Sequence, residues 1–162
     1  MARSAATRQP HWPRRIVSGG QTGVDRAALE VAIALGIEHG GWCPRGRLAE
    51  DGMIPSRYLL TENDSSDYKV RTAQNVAESD ATLILHERPL SGGTRLTERV
   101  AKRASKPLGC FLVCESSIEP IRDWLDQHLP EVLNVAGPRD SVSPGIEQRA
   151  AELLMRVWAR CE

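Results

Sequence analysis

Short apolar, β-branched runs alternate along this chain with longer segments whose apolar residues recur every three or four positions. Arg15–Ser18 reads as a brief strand, and Asp25–Leu35 as a helix with Ala28, Leu29, Ala32, Ile33 and Leu35 on its apolar face. Gly36 stands where a left-handed C-cap belongs. Thr22 and Asp25 have capping-box spacing, with Asp in place of the commoner Glu or Gln. The periodicity lapses over residues 37–58, a long irregular connection rich in glycine and charge. Loops of that length inside a compact domain are usually functional. Tyr58–Glu62 then reads as a short strand, and Asp67–Ser79 as a helix with Asp67 as its N-cap. Ala81–His86 is a buried strand, and a loop carrying Ser91-Gly92-Gly93-Thr94 leads into a helix over Arg95–Ala104. Leu108–Cys114 reads as a strand, Ile118–His128 as a helix, Val132–Ala136 as a strand and Gly145–Ala159 as the terminal helix.

Alternation of this kind predicts an α/β fold. Right-handed crossovers build an open, mostly parallel sheet with helices on both faces. The 162 residues suit a single domain over 14–162, preceded by a flexible N-terminal arm over 1–13 that lacks the apolar stretch of a signal peptide. Lys+Arg and Asp+Glu both number 21, so the chain lacks the basic excess of a sequence-independent nucleic-acid binder. Any anion site must therefore be local. Cys43, Cys110, Cys114 and Cys161 have no CxxC spacing, which weighs against zinc. Cys110 and Cys114, an even number of residues apart in a strand-like run, read as buried thiols on one face of a cytoplasmic protein. No apolar run is long enough for a membrane span.

Ligands of open α/β sheets lie beyond the carboxyl ends of the strands. Three segments leave strands there: Gly19–Gly23, Glu87–Thr94 and Gly137–Ser143. In the first, Gly19, Gly20, Gln21, Thr22, Gly23 and Asp25 join a strand to a helix, an order that directs backbone N–H groups and a helix N-terminus at an oxyanion. Its Gly-Gly-x-x-Gly spacing is neither the dinucleotide motif nor a P-loop, which lowers the case for NAD binding and for ordinary ATP hydrolysis. Gly92, Gly93 and Thr94 open a second helix in the same way. Arg71, Thr72 and Asn75 share one helical face, either a solvated surface or part of a site. Arg139 is placed to pair with a phosphate or carboxylate, or is an ordinary loop arginine. Asp25, Glu50 and Glu98 are the acid–base candidates. Glu50 and Asp51 read more simply as an ion-pair cluster with Arg45 and Arg47. His86, at a strand end, is the histidine worth testing, and no nucleophile–base–orienter set declares itself.

Ser18-Gly19-Gly20-Gln21-Thr22-Gly23-Val24-Asp25, Gly40-Gly41-Trp42-Cys43-Pro44, Ala49-Glu50-Asp51-Gly52, Arg71-Thr72 with Asn75-Val76, Gly92-Gly93-Thr94, Lys106-Pro107 and Asn134-Val135-Ala136-Gly137-Pro138-Arg139 together resemble the molybdenum carrier family. That family is similar in turn to the SLOG group of Rossmann-like nucleotide-binding proteins, which includes lysine-decarboxylase-like phosphoribohydrolases. The resemblance implies a Rossmann-like fold, a homo-oligomer, and a small anionic ligand: molybdenum cofactor, molybdate or otherwise a nucleotide. It places the ligand loops at Gly19–Gly23 and Gly92–Thr94. The phosphoribohydrolase motif Pro-Gly-Gly-x-Gly-Thr-x-x-Glu is incomplete in Ser91–Glu98, although Glu98 is retained. The leading expectation is a binding protein without catalysis. The alternatives are a nucleotide N-glycosidase and a nucleotide-sensing interaction module.

Overall fold

The computed structural model describes residues 9–159. Its first strand, β1 (Arg15–Val17), leads into α1 (Val24–Leu35) and then β2 (Glu38–Gly40). Four two-residue strands follow in the long connection: β3 (Trp42–Cys43), β4 (Leu48–Ala49), β5 (Gly52–Met53) and β6 (Thr61–Glu62). The regular alternation resumes with α2 (Tyr68–Ala77), β7 (Ala81–His86), α3 (Gly92–Arg103), β8 (Leu108–Leu112), α4 (Ile118–His128), β9 (Val132–Ala136) and α5 (Ile146–Trp158). The main sheet has the order β2-β1-β9-β7-β8, and every neighbouring pair in it is parallel. This is the open α/β sheet that the alternation predicts and the Rossmann-like fold that the resemblance implies.

Strand periodicity divides the sheet residues between two faces. Ile16, Leu83, Leu85, Leu133 and Val135 join Val24, Ala28, Val31, Ile121, Leu125, Leu154 and Trp158 in the main core, beneath α1, α4 and α5. Val17, Thr82, Ile84 and Asn134 point the other way, toward the layer where α2 packs on α3. That face is more polar, and Asn134 donates its side-chain N–H to Thr82 Oγ1 at 3.3 Å. A smaller apolar cluster of Leu29, Cys43, Ile54 and Tyr58 ties the long connection to α1.

Several local expectations need correcting. Residues 37–58 are not irregular throughout, because Glu38–Gly40 adds an edge strand beside β1. Its sequence hides this, since an edge strand with one solvated face needs no apolar run. Helix α3 starts at Gly92, so Gly92–Thr94 form its first turn instead of a loop before it. The N-cap of α1 is Gly23, at φ 83°, and among the described residues no side chain caps that helix. The Asp25 carboxylate instead accepts the Gln21 N–H (3.2 Å), so the capping box does not form. Cys43 is buried, but Cys110 and Cys114 are exposed. Strand β8 is an edge strand that ends at Leu112, and Cys114 lies beyond it, bonded to Ser116 Oγ at 3.1 Å. Cys161 lies outside the described residues. So do residues 1–8 of the expected arm, whereas 9–13 run beside α4 and α5. There His11 N–H donates to Asp126 (2.8 Å), and the Trp158 indole donates to the His11 carbonyl (3.1 Å). Among the described residues no helix is long and apolar enough to cross a membrane.

Candidate functional site

From β1 the chain moves outward to β2; from β7 it moves the opposite way to β8, and β9 fills the seam. That reversal is where an open α/β sheet leaves a crevice at its carboxyl edge. A cavity of about 330 Å³ occupies this place. The turn after β1 supplies Gln21, the start of α1 supplies Asp25, and the first half of α2 supplies Tyr68, Arg71 and Thr72. Ser91–Thr94 and the segment 136–139 form further walls, and Pro44, Leu48 and Ala49 of the long connection close one side. All three strand-end segments therefore meet, and the 37–58 connection contributes to the wall.

The glycine turn after β1 is built around its own acceptors. Gly20 N–H donates to Ser18 Oγ (3.4 Å), Gln21 N–H to Asp25 Oδ2 (3.2 Å), Thr22 N–H to Gln21 Oε1 (3.0 Å) and Val24 N–H to the Pro138 carbonyl (3.2 Å). A Cβ on Gly23 would collide with that carbonyl, so the positive φ and the close approach both demand glycine. The Thr22 hydroxyl is engaged as well, donating to Glu50 and accepting the Asp140 N–H at 3.1 Å. Gln21 and Asp25 thus face the cavity, while Gly20, Thr22 and Gly23 shape the turn behind them. Gly19 lies against the Arg71 guanidinium, which would meet any side chain placed there.

The start of α3 is arranged differently. Its first helical bond runs from Arg95 N–H to the Ser91 carbonyl (3.2 Å), which leaves the N–H groups of Gly92, Gly93 and Thr94 ahead of the ladder. Among the described residues no side chain caps this end. Gly92, Gly93 and the buried Thr94 all line the cavity, so the positive end of the helix dipole opens into it. Thr97, one turn on, is held by donating its hydroxyl to the Gly93 carbonyl (3.0 Å). The Tyr68 ring stands beside Gly93.

Arg71 is the unusual group of the site. Its side chain is 14% exposed, and its Nε is buried with no hydrogen-bond partner among the described residues. Its ion-pair partner, Asp25 Oδ2, stands 3.6 Å from Nη1, longer than a hydrogen bond. Burial pushes the Asp25 carboxyl above the usual aspartate range, against the opposing pull of Arg71, the Gln21 and Gly19 N–H groups and Arg26. The Arg71 guanidinium is thus not fully satisfied by the described residues. Thr72 also lines the cavity, its hydroxyl donating to the Tyr68 carbonyl (2.9 Å). Asn75 does not line it: its amide grips the Trp42 backbone in both directions, at 2.8 and 3.0 Å, and fixes β3.

Glu50 and Asp51 are latches, and their partners are not Arg45 and Arg47. Glu50 accepts the Ser141 N–H (3.1 Å) and hydroxyl (2.5 Å) besides Thr22, and it faces Arg139 Nε at 3.5 Å. Partial burial opposes its charge, but the hydrogen bonds from Ser141 and Thr22, with Arg139, outweigh that and hold its pKa below the usual range. Asp51 forms a two-pronged pair with the buried Arg26, whose Nη2 lies 2.7 Å from Oδ1. Arg26 also donates to the Gly20 carbonyl (3.2 Å). Glu98 pairs with Lys102 (3.7 Å), and His86 faces the Arg88 carbonyl (3.0 Å); neither lines the cavity. Of the three acid–base candidates only Asp25 reaches it. Tyr68 and Thr97 are not singled out as site residues by motif spacing, whereas the wall at Pro44, Leu48 and Ala49 falls in the connection whose length marks it as functional. Tyr68 had one usable signal, since it precedes Arg71 by three residues on the same helical face.

A model of the circularly permutated YpsA SLOG family matches residues 16–158. The chain is also similar to a crystal structure of a "putative molybdenum carrier protein" from Syntrophus aciditrophicus SB. The two share 43% identity over 93% of this chain and 98% of that one, with a TM-score of 0.90. No protein with a curated description matches.

Proposed function

Because this chain belongs to the circularly permutated YpsA SLOG family, we propose that it is a binding protein holding a phosphorylated, nucleotide- or pterin-like anion in the cavity at the sheet's carboxyl edge. The observation that carries this reading is Arg71. A largely buried guanidinium with a partnerless Nε is costly, because a buried unsatisfied polar group loses about 1–3 kcal/mol. A ligand oxyanion would complete its shell. The uncapped N–H groups of Gly92, Gly93 and Thr94 would take a second set of oxygens, as helix N-termini do. Arg139 stands at the rim with Glu50 as its present partner. The name of the Syntrophus relative extends the reading to molybdenum as cargo. Among the described residues no three His, Cys, Asp or Glu side chains form a cluster for a metal ion, so molybdenum would arrive within an oxyanion or a cofactor.

The deciding experiment is a thermal-shift panel of nucleoside monophosphates, phosphorylated pterins, phosphate and molybdate against wild type and Arg71→Ala. A ligand at a hundred times its Kd stabilises by about 2.7 kcal/mol, well within detection. At least one anion should shift the wild type, and Arg71→Ala should lose that shift while still melting cooperatively. A panel with no shift, or one that Arg71→Ala leaves unchanged, overturns the reading.

A further inference from the structure

We infer that Asp25 determines ligand specificity, so that the cavity selects anions that also present a pair of adjacent N–H donors and discriminates against bare phosphate or molybdate. This rests on the cavity being an anion-holding site. Asp25 is the one carboxylate lining it among the described residues. It sits beside the guanidinium that would receive the anion, at 3.6 Å. A small oxyanion drawn to Arg71 would meet that carboxylate at close range, where like charges oppose each other. An organic ligand carrying N–H groups converts the same carboxylate into a favourable partner.

Three further observations fit such a ligand. A volume of about 330 Å³ far exceeds a tetrahedral oxyanion and falls among pockets for small organic molecules, about 300–1,000 Å³. Its walls at Pro44, Leu48, Tyr68 and Val142 are apolar or aromatic surfaces against which a flat ring can lie. The open N–H groups of Gly92–Thr94 provide a place for phosphate apart from Asp25. An ionised carboxylate has roughly four lone-pair sites, and the Gln21 N–H, which takes one of them on Oδ2, leaves capacity for two more donors. Arg71 carries five N–H donors, so besides those that face the anion it can offer one to a neighbouring ring carbonyl. An acceptor pair flanked by a donor is the complement of a 2-amino-4-oxopyrimidine edge. Guanine nucleotides and phosphorylated pterins share that edge. Adenine instead turns a ring-nitrogen lone pair toward the carboxylate, so adenine nucleotides are disfavoured.

Isothermal titration of the full chain with GMP, IMP, AMP, a dihydropterin phosphate, phosphate and molybdate tests this, in wild type and in Asp25→Asn. Expected is GMP or the pterin phosphate binding at least about 10-fold tighter than AMP, the scale of one bidentate hydrogen-bonded pair. IMP, lacking the 2-amino group, should fall between, and phosphate and molybdate should bind most weakly. The tighter of GMP and the pterin phosphate identifies the source of the shared edge. Asp25→Asn should bring GMP within about 3-fold of AMP while phosphorylated ligands still bind, because the substitution removes the acceptor pair that tells the two bases apart and spares the phosphate site. A purely structural Asp25 would alter stability but not this ranking. Equal affinities for GMP, AMP and phosphate in the wild type overturn the inference and leave the anion site standing. Absence of binding by every probe overturns the anion site itself. Should Asp25→Asn fail to fold, Asp25→Ser, which also removes the acceptor pair, is read by the same ranking.

Discussion

Gly19 and Gly23 lie four residues apart in one turn, yet a methyl group at each would meet opposite kinds of neighbour. At Gly23 it meets the Pro138 carbonyl and the Arg139 backbone, with φ at 83°. Nothing there can yield cheaply, so Gly23→Ala should destabilise the fold by about 1–3 kcal/mol from backbone strain alone, with the collision adding to it. Urea denaturation at unchanged m checks this. At Gly19 the methyl's nearest neighbours are the guanidinium atoms of Arg71, the far end of a flexible side chain. Gly19→Ala should therefore avoid the backbone strain of Gly23→Ala, cost stability only through displacing Arg71 from Asp25, and weaken the best ligand roughly 10-fold, the worth of one charged hydrogen bond. A calorimetric titration at full affinity would show that Arg71 is not the anion's partner. This distinction was not legible in the sequence. Glycine announces a turn, but its neighbour across space belongs to a helix some fifty residues on. Arg71 could likewise be placed on a helical face by spacing, whereas its partnerless Nε depends on how that face is buried.

Three helix N-termini border the cavity and are used differently, that of α2 being capped by the Asp67 side chain. The start of α1 is closed by the Pro138 carbonyl, while the start of α3 has no cap. Gly93 has ordinary helical space around it, and a Cβ built there would lie 3.8 Å from the Tyr68 ring. Gly93→Asp should thus raise stability, by about 0.3–1 kcal/mol from the dipole, yet abolish binding by placing a negative charge where the ligand's would go. Opposite signs in melting temperature and affinity are the signature; a variant that gains stability and still binds would move the anion elsewhere. The hairpin of β4 and β5 is held by Glu50 on one side and Asp51 on the other. Helices and buried strands were readable from periodicity: β7, α4 and β9 fall where the apolar pattern puts them. The hairpin and β2 were not, because their order comes from carboxylate latches and an edge pairing without apolar repetition. The carboxylates themselves were visible, but adjacency suggested Arg45 and Arg47, and the chain instead closed on Arg26 and Arg139.

Across the whole molecule the formal charge is zero, so its pH response depends on individual carboxylates. Glu50, Asp51 and Glu87 bridge segments distant in sequence. The Arg26 guanidinium lowers Asp51, Arg149 lowers Glu87, and for Glu50 the bonds from Ser141 and Thr22 outweigh burial. Each is more acidic folded than unfolded, so the unfolded chain binds more protons in this range and stability rises with pH. Their contribution is complete above the unfolded values, about 3.9 for Asp and 4.3 for Glu, and is lost as pH falls through the folded ones. Asp25 has the opposite sign. Burial raises it, so its contribution is full below about pH 3.9 and is lost as pH climbs through its folded value. The two effects partly cancel near the acid limb. Urea midpoints measured from pH 3 to 7 should therefore rise more steeply in Asp25→Asn than in wild type, and less steeply in the double variant Glu50→Gln, Asp51→Asn. Three parallel profiles would mean that these carboxylates titrate alike in folded and unfolded chains, and that neither the latches nor the buried aspartate sets the acid stability.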